Sequence, residues 1–200
     1  MNKPATRIQK KNQSAILQAG LEVFSQYGFR GSTLDQIAEA AGLSKPNMLY
    51  YFGSKDAIYT ALLTQLLANW LEPVKEIDPD GDPVEEILGY AKRKLAMSRD
   101  FPRESRLFAN EIIQGAPRIK DHLTGELREI VDGVAAIIDG WVADHRIRPV
   151  DPRHLIFSIW AMTQHYADFD VQVRALIGDA DPFAGAEAHL EAMLRRMLTP

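Results

Sequence analysis

The chain has 200 residues, of which 46% are hydrophobic, and it carries a formal net charge of −4 and no cysteine. A chain of this length can bury a substantial core, and the lack of cysteine excludes disulfides and thiolate metal sites. The sequence has no apolar run long enough to cross a membrane and no apolar N-terminal segment. We therefore expect a soluble, cytoplasmic protein without a signal peptide.

The charge is distributed unevenly along the chain. The first 70 residues hold seven basic and four acidic side chains, a net charge of +3, which leaves −7 for the remainder. A basic head on an acidic body indicates that the head meets a polyanion. Chance asymmetry in an acidic protein is the alternative.

Helical periodicity dominates the chain and predicts an all-α fold of about nine helices. The first helix carries apolar side chains at three- and four-residue spacing: Ile16, Leu17, Ala19, Gly20, Val23, Phe24 and Tyr27. We expect Gly28 and Gly31 to end this helix, because glycine readily leaves the helical conformation.

Two short helices follow, separated by a turn that contains Gly42. Ser32 or Thr33 can cap the first of them, and Ser44 can cap the second. A fourth, longer helix is expected from a cap at Ser54 to an end at Pro73. Two short helices joined by a tight turn are typical of a helix-turn-helix unit.

The second short helix has distinct inner and outer faces. Pro46 is its second residue, a position that has no intrahelical N–H bond to lose. Helical spacing turns Met48, Leu49 and Phe52 inward. The outward residues are Lys45, Asn47, Tyr50 and Tyr51.

These outward residue types suit contact with DNA. Asn47 can read a base edge, and Lys45 can reach guanine acceptors or phosphate. Tyr50 and Tyr51 can donate hydrogen bonds to phosphates. Lys55, in the first turn of the next helix, lies where free N–H groups also favour a phosphate. Half-buried tyrosines and solvated lysines are the alternative interpretation.

The segment FRGSTLDQIAEAAGLSKPNMLYYFGSKDAIY, residues 29–59, resembles the N-terminal domain of the TetR family of bacterial transcriptional regulators. The resemblance implies a homodimer with a helix-turn-helix DNA-binding domain over residues 1–55 and a helical ligand-binding and dimerisation domain over residues 56–200. It also implies repression that a small molecule releases. The DNA contacts it implies fall on Thr33, Lys45, Pro46, Asn47, Tyr50, Tyr51 and Lys55.

One residue departs from the family pattern. Most members have tyrosine at the position of Leu49. We therefore expect a DNA contact that other members make from this position to be lost here, with Tyr50 able to compensate.

The body is predicted to contain helices over residues 83–99, 102–114, 119–145, 152–169 and 182–198. Each of four prolines lies at a first-turn position, where proline is well tolerated: Pro83, Pro102, Pro152 and Pro182. A run of basic residues is expected to form a solvated helix face: Lys92, Arg93, Lys94, Arg99, Arg103 and Arg106.

A candidate ligand site lies in the segment IWAMTQHYADF, residues 159–169. Trp160, Thr163 and Gln164 share one helical face. The indole can stack on a planar ligand, and the carboxamide offers both a donor and an acceptor. The candidate walls are Leu67, Trp70, Phe108 and Ile112. A tryptophan in an ordinary core and a glutamine that bonds to nearby backbone are the alternative.

Residues 105–117, 121–127 and 151–169 also resemble pyrimidine-responsive regulators of the TetR family. This resemblance implies uracil or thymine as effector, and alternating carbonyl and N–H groups suit Thr163 and Gln164. The alternatives are a regulator of the same family that senses another planar ligand and, more distantly, a helical adaptor or a small-molecule carrier that does not bind DNA.

The last two helices carry apolar stripes, which favour a four-helix interface between two copies of the chain. Burial within one subunit is the alternative. No phosphate-binding loop, nucleophile elbow or zinc-protease motif occurs, so we expect no enzymatic activity, no cofactor and no metal.

Overall fold

The computed structural model describes residues 7–200, and every element in that range is helical. The expected all-α fold is thereby confirmed. The α-helices are α1 Arg7–Gly31, α2 Leu34–Ala40, α3 Lys45–Phe52, α4 Lys55–Lys75, α5 Pro83–Asp100, α6 Pro102–Ile113, α7 Lys120–His122, α8 Arg128–Ala143, α9 Pro152–Asp168, α10 Asp170–Ile177 and α11 Ala186–Leu198, with a π-helical turn at Leu123–Leu127 between α7 and α8. Within the described range, no helix is long and apolar enough to cross a membrane.

The short helices begin where the sequence places their caps. Thr33 caps α2, and Gln36 completes a capping box by accepting from the backbone N–H of Thr33. The Ser44 hydroxyl accepts from the backbone N–H of Asn47 at the start of α3. Ser54 accepts in the same way from Ala57 before α4. These bonds satisfy N–H groups that a helix start leaves without partners.

Several boundaries differ from the sequence-based expectation. α1 continues to Gly31 across a kink at Gly28, which adopts a φ of 67°. α4 extends through Pro73 to Lys75, since a proline in the last turn removes few helical bonds. α10 was not expected, and α11 begins at Ala186 instead of residue 182.

Two compact units make up the described chain. Within the described range, the head unit contains residues 7–67 together with Arg106–Ile119. Its helix-turn-helix elements α2 and α3 pack on each other, and α1 packs against α2. The large apolar side chains buried in this unit include Ile16, Phe24, Ile37, Met48, Ile58, Leu63 and Ile119.

The body unit contains Ala68–Ser105 and Lys120–Pro200. In it α5 packs against both α9 and α11, and α8 packs against α9. Its buried side chains include Ile87, Leu88, Tyr90, Ile138, Leu155 and Leu194.

Candidate DNA-binding surface and ligand site

One side of α3 is anchored in the head unit and the other faces solvent. Met48 is completely buried, which fixes the rotation of the helix about its axis. Tyr50 is 74% exposed. Lys45, Pro46 and Asn47 are also exposed. A lysine, an asparagine and a tyrosine on the second helix of a helix-turn-helix are therefore all accessible.

The polar groups at the edge of this surface have weak intramolecular partners. Lys45 forms an ion pair with Asp35, with 3.0 Å between Nζ and Oδ2, and both side chains are substantially exposed. An exposed pair of this kind contributes about 0–1 kcal/mol, so the lysine can exchange the carboxylate for another anion. Thr33 is exposed beside it, and its hydroxyl takes part in the capping box with Gln36.

Tyr51 is held differently from Tyr50. It is half-buried, and its hydroxyl accepts a hydrogen bond of 2.8 Å from Nδ2 of Asn12 on α1. A phenol that accepts one bond can still donate another. The donor of Tyr51 is thus oriented by α1, whereas Tyr50 meets Tyr51 edge-on at 5.3 Å between ring centroids.

The ammonium of Lys55 is used inside the head unit. It donates to the carbonyl oxygens of Phe29 at 2.8 Å and Ser32 at 2.7 Å. It also lies 4.5 Å from the centre of the Phe29 ring. Lys55 therefore closes the end of α1, and one of its three N–H groups is left for another acceptor.

The head unit contains a second charged cluster that no sequence motif predicts. The Arg118 guanidinium lies 3.7 Å from the Phe29 ring centre and pairs with Asp56 at 3.0 Å. Arg118 also pairs at 3.4 Å with Glu111, which is only 1% exposed. Burial, with the charge of Glu111 as a smaller cause, raises the pKa of nearby Tyr59 to about 12. Since Asp56 and Arg118 are 62 residues apart, no local sequence pattern predicts their contact.

In the body unit, α9 presents the predicted ligand residues beside α5. The Trp160 indole donates a hydrogen bond of 2.6 Å to the Tyr90 hydroxyl. Burial raises the Tyr90 pKa to about 12, so this phenol is neutral at physiological pH. Thr163 is fully buried and donates to the carbonyl of Ile159 at 2.8 Å, which leaves its oxygen lone pairs to accept. Gln164 is half-buried one turn after Trp160.

The expectation that Lys94 lies on a solvated face is wrong. Lys94 is 4% exposed, and its Nζ lies 4.5 Å from the ring centre of buried Trp70. The apolar stripe of α5 includes Ala91 and Leu95, and position 94 falls on the same side of the helix. Burial lowers the Lys94 pKa to about 8, and the charge of Asp168 acts in the opposite direction.

The predicted ligand residues divide between the two units. Trp70, Trp160, Thr163 and Gln164 belong to the body unit, and Leu67, Phe108 and Ile112 belong to the head unit. Leu67 is buried, Phe108 is half-buried and Ile112 is exposed. Within residues 7–200, no cluster of histidine, aspartate and glutamate that could hold a metal ion is found.

Two family models together account for almost the whole chain. Residues 16–62 match the model of bacterial regulatory proteins of the tetR family. Residues 63–200 match the C-terminal region of YcdC-like proteins, which is a TetR-type body. The chain belongs to the TetR family of transcriptional regulators. Its α2 and α3 are accordingly the helix-turn-helix of a TetR-family regulator.

One curated protein and two solved structures resemble the chain over most of its length. The transcriptional regulator RutR of Escherichia coli K12 is 51% identical over 173 residues, 86% of this chain and 82% of RutR. The Streptomyces coelicolor regulator SCO4942 superposes with a TM-score of 0.72 at 23% identity, covering 94% of this chain and 98% of that one. AibR, solved with isovaleryl coenzyme A and operator DNA, gives a TM-score of 0.70 at 18% identity over 94% and 99% of the two chains.

Proposed function

We propose that this TetR-family regulator is a ligand-responsive repressor that binds a near-palindromic operator as a homodimer and is released by a small planar effector, uracil or thymine. The observation that carries the DNA-binding role is the exposed surface of α3, with Lys45, Asn47 and Tyr50 around the buried anchor Met48. An adaptor or carrier protein would have no use for such a surface on a helix-turn-helix.

The roles on DNA follow from the chemistry of each side chain. Asn47 reads a base edge, adenine being its natural partner, and Lys45 reaches a guanine or a phosphate. Tyr50 and Tyr51 donate to phosphates, and Pro46 packs against the sugar-phosphate backbone. Thr33 donates to a phosphate only when its hydroxyl turns away from Gln36. Lys55 adds its remaining N–H to a phosphate while it holds the end of α1. Leu49 is half-buried, consistent with a position that makes no DNA contact.

Selection of bound duplexes from a random-sequence library tests the DNA assignment. We expect the wild-type protein to enrich one near-palindromic site and Asn47→Ala to change the preferred base at symmetric positions. Asn69→Ala is the matched control, because Asn69 is an exposed asparagine on α4, away from α3. Failure of the wild type to enrich any duplex would contradict operator binding and favour a non-DNA role.

The pyrimidine assignment rests on chemistry and on the resemblance of residues 105–117, 121–127 and 151–169 to pyrimidine-responsive regulators. Uracil and thymine are flat and alternate carbonyl and N–H groups around one edge. The Gln164 carboxamide can donate to a carbonyl and accept from an N–H, and the Thr163 oxygen can accept as well. Trp160 and Trp70 of the body unit supply the stacking surface.

Titration calorimetry with uracil and with thymine tests the effector. We expect both bases to bind the wild type, and Gln164→Ala to weaken them at least tenfold, since about 1.5 kcal/mol is lost with a bidentate amide contact. Gln172→Ala, an exposed glutamine on α10, is the control. Absence of heat with both bases would exclude a pyrimidine effector. The remaining candidate would then be a different planar ligand that binds the same site.

The proposed release mechanism uses α4. This helix supplies Lys55 to the head unit and Trp70 to the body unit without a break. An effector that binds beside Trp70 and favours one position of α4 alters, in a dimer, the separation of two recognition helices. Operator binding requires that separation to match about one helical turn of DNA, 34–36 Å.

A further inference from the structure

The most unusual side chain of the body unit is Lys94. It is 4% exposed, yet no hydrogen bond or ion pair to its Nζ is found within the part of the chain that the structure describes. A buried ammonium normally has a hydrogen-bonded anionic partner, because its transfer out of water is costly. The Trp70 ring at 4.5 Å supplies only a cation–π contact.

The carboxylate that acts on Lys94 has another partner. Asp168 on α9 influences the ammonium through space, and it accepts a hydrogen bond from the Ser105 hydroxyl. The interaction with Ser105 keeps the Asp168 carboxylate in place. Burial thus lowers the pKa of Lys94 and the charge of Asp168 opposes this only in part, so the ammonium would be stabilised by an oxygen acceptor.

Hydrogen-bonded side chains lie on the helices that carry Lys94 and Asp168. Tyr90 lies one turn earlier on α5 and is hydrogen-bonded to Trp160 on α9. On α9, positions 160, 164 and 168 are one turn apart and therefore share a side. Gln164 falls between Trp160, which Tyr90 holds, and Asp168, which Ser105 holds. A polar ligand group beside Gln164 would find both of its neighbours on α9 fixed.

We propose that Lys94 is an effector-binding residue whose ammonium donates to a carbonyl oxygen of a planar cyclic imide, and that it selects such ligands over analogues carrying an amino group in place of that oxygen. This inference rests on the proposed function of the body unit as an effector site. All of the ligand residues predicted from the sequence are uncharged, so Lys94 adds a cationic donor to the proposed site.

The chemistry explains the selectivity. An ammonium has three donors and no acceptor, so it pairs with an oxygen and opposes an exocyclic amine. A site built around a polar contact rejects an analogue that lacks it more strongly than an apolar pocket rejects an extra methyl group. We therefore expect thymine, which keeps both carbonyl groups, to bind like uracil. An analogue with an amine in place of the carbonyl that Lys94 contacts should bind more weakly.

Titration of the full-length protein with uracil, cytosine and isocytosine tests the inference. Cytosine replaces one uracil carbonyl by an amine, and isocytosine replaces the other. We expect the wild type to bind uracil and to reject one of the two analogues. Lys94→Met should weaken uracil binding about 10- to 100-fold, as expected for a hydrogen bond to a charged group, and should abolish the discrimination against that analogue.

Lys92→Met is the matched control. Lys92 is on the same helix but forms ion pairs with Glu187 and Glu191 of α11. The Lys92→Met protein should therefore bind all three bases as the wild type does. Unchanged uracil affinity and discrimination in Lys94→Met would overturn the role of Lys94 and leave the pyrimidine effector standing. No binding of any base to the wild type would overturn both.

A second measurement does not depend on the folding of the Lys94 variant. The pKa of Lys94 is about 8, so wild-type uracil affinity should fall about tenfold between about pH 7 and about pH 9 as the ammonium loses its proton. Tyr90 on α5, with a pKa of about 12, stays neutral over this range. A flat profile would contradict the inference.

Discussion

At the scale of single residues, two lysines of this chain make contacts inside the protein that its exposed lysines do not make. Lys94 is buried against Trp70, and Lys55 donates to two main-chain carbonyls at the end of α1. Lys45 on α3 is an ordinary exposed lysine with a surface ion pair. Their different surroundings give each lysine a different predicted response to substitution.

Lys94→Met should stabilise the protein at neutral pH. The Lys94 pKa of about 8 lies below its ordinary value of 10.5. The folded state therefore binds fewer protons than the unfolded chain between these values, and wild-type stability rises with pH through this window. The unfavourable burial at neutral pH corresponds to about 3 kcal/mol. Loss of the cation–π contact offsets about 1 kcal/mol, so we expect a net gain of about 2 kcal/mol.

Urea denaturation at several pH values measures this gain. The advantage of Lys94→Met over the wild type should be greatest below about pH 8 and should shrink toward pH 10.5. Lys92→Met, which removes an exposed cation on the same helix, should show no such pH dependence. A variant less stable than the wild type at neutral pH would contradict the predicted cost of burying the charge.

Lys55→Ala and Lys45→Ala should separate a structural lysine from a DNA-contacting one. Lys55→Ala removes two charge-assisted hydrogen bonds and should cost about 2 kcal/mol of stability, along with DNA affinity. Lys45→Ala removes a surface pair and should weaken DNA binding with little change in stability. Thermal melting and electrophoretic binding of both variants check this. An unaltered melting temperature for Lys55→Ala would show that its carbonyl contacts contribute little.

At the scale of elements, most of α6 and the segment that follows it belong to the head unit. Residues Arg106–Ile119 cluster with α1 to α3 and the first part of α4. Arg118 from this segment covers the Phe29 ring, pairs with Asp56 at the start of α4 and meets buried Glu111. This segment thus holds α1 and α4, the helices on either side of the helix-turn-helix in sequence.

Arg118→Ala should destabilise the head unit by about 3 kcal/mol, because it leaves the Glu111 carboxylate buried without its cation. Adding Glu111→Gln should restore part of the loss. Glutamine carries no charge, and its carbonyl can still accept from the Arg118 backbone N–H, a bond of 3.0 Å in the wild type. Urea denaturation of the single and double variants forms the cycle, with exposed Arg128→Ala as control. Strict additivity of the two substitutions would contradict the coupling.

The helices could be predicted from the sequence more fully than the contacts between them. Ser44, Thr33 and Ser54 act locally, so the starts of α2, α3 and α4 could be predicted from caps. The burial of Lys94 and the pairing of Arg118 depend on helices that meet only in the folded chain. From the sequence alone, lysine and arginine are expected to be exposed to solvent, because most residues of these types are.

At the scale of the whole molecule, exposed apolar side chains remain on the helices that end the chain. Phe157 on α9 is 47% exposed, and Met193 and Met197 on α11 are 45% and 40% exposed. The proposed homodimer would cover them with the same residues of a second copy, as a two-fold interface requires. The proposed dimer also brings two basic heads to one DNA, so affinity should fall steeply with salt.

Phe157→Glu combined with Met193→Glu should give a monomer, since charges placed in an apolar interface face each other across the two-fold axis. Sedimentation equilibrium should show a dimer for the wild type. Ile113→Glu, at a 77% exposed position of the head unit, should leave the dimer intact. A wild-type protein that sediments as a monomer at micromolar concentration would contradict the homodimer.

The arrangement of the indoles gives the protein a built-in optical signal. Of the three tryptophans, Trp70 lies against an ammonium and Trp160 is hydrogen-bonded to a phenol, both at the proposed effector site. Trp141 donates to the carbonyl of Pro79 instead. Emission from Trp70 and Trp160 should change when a pyrimidine stacks on them, and Trp141→Phe should remove only a constant background. Occupancy of the site can then be followed in real time, without a label, on operator-bound protein.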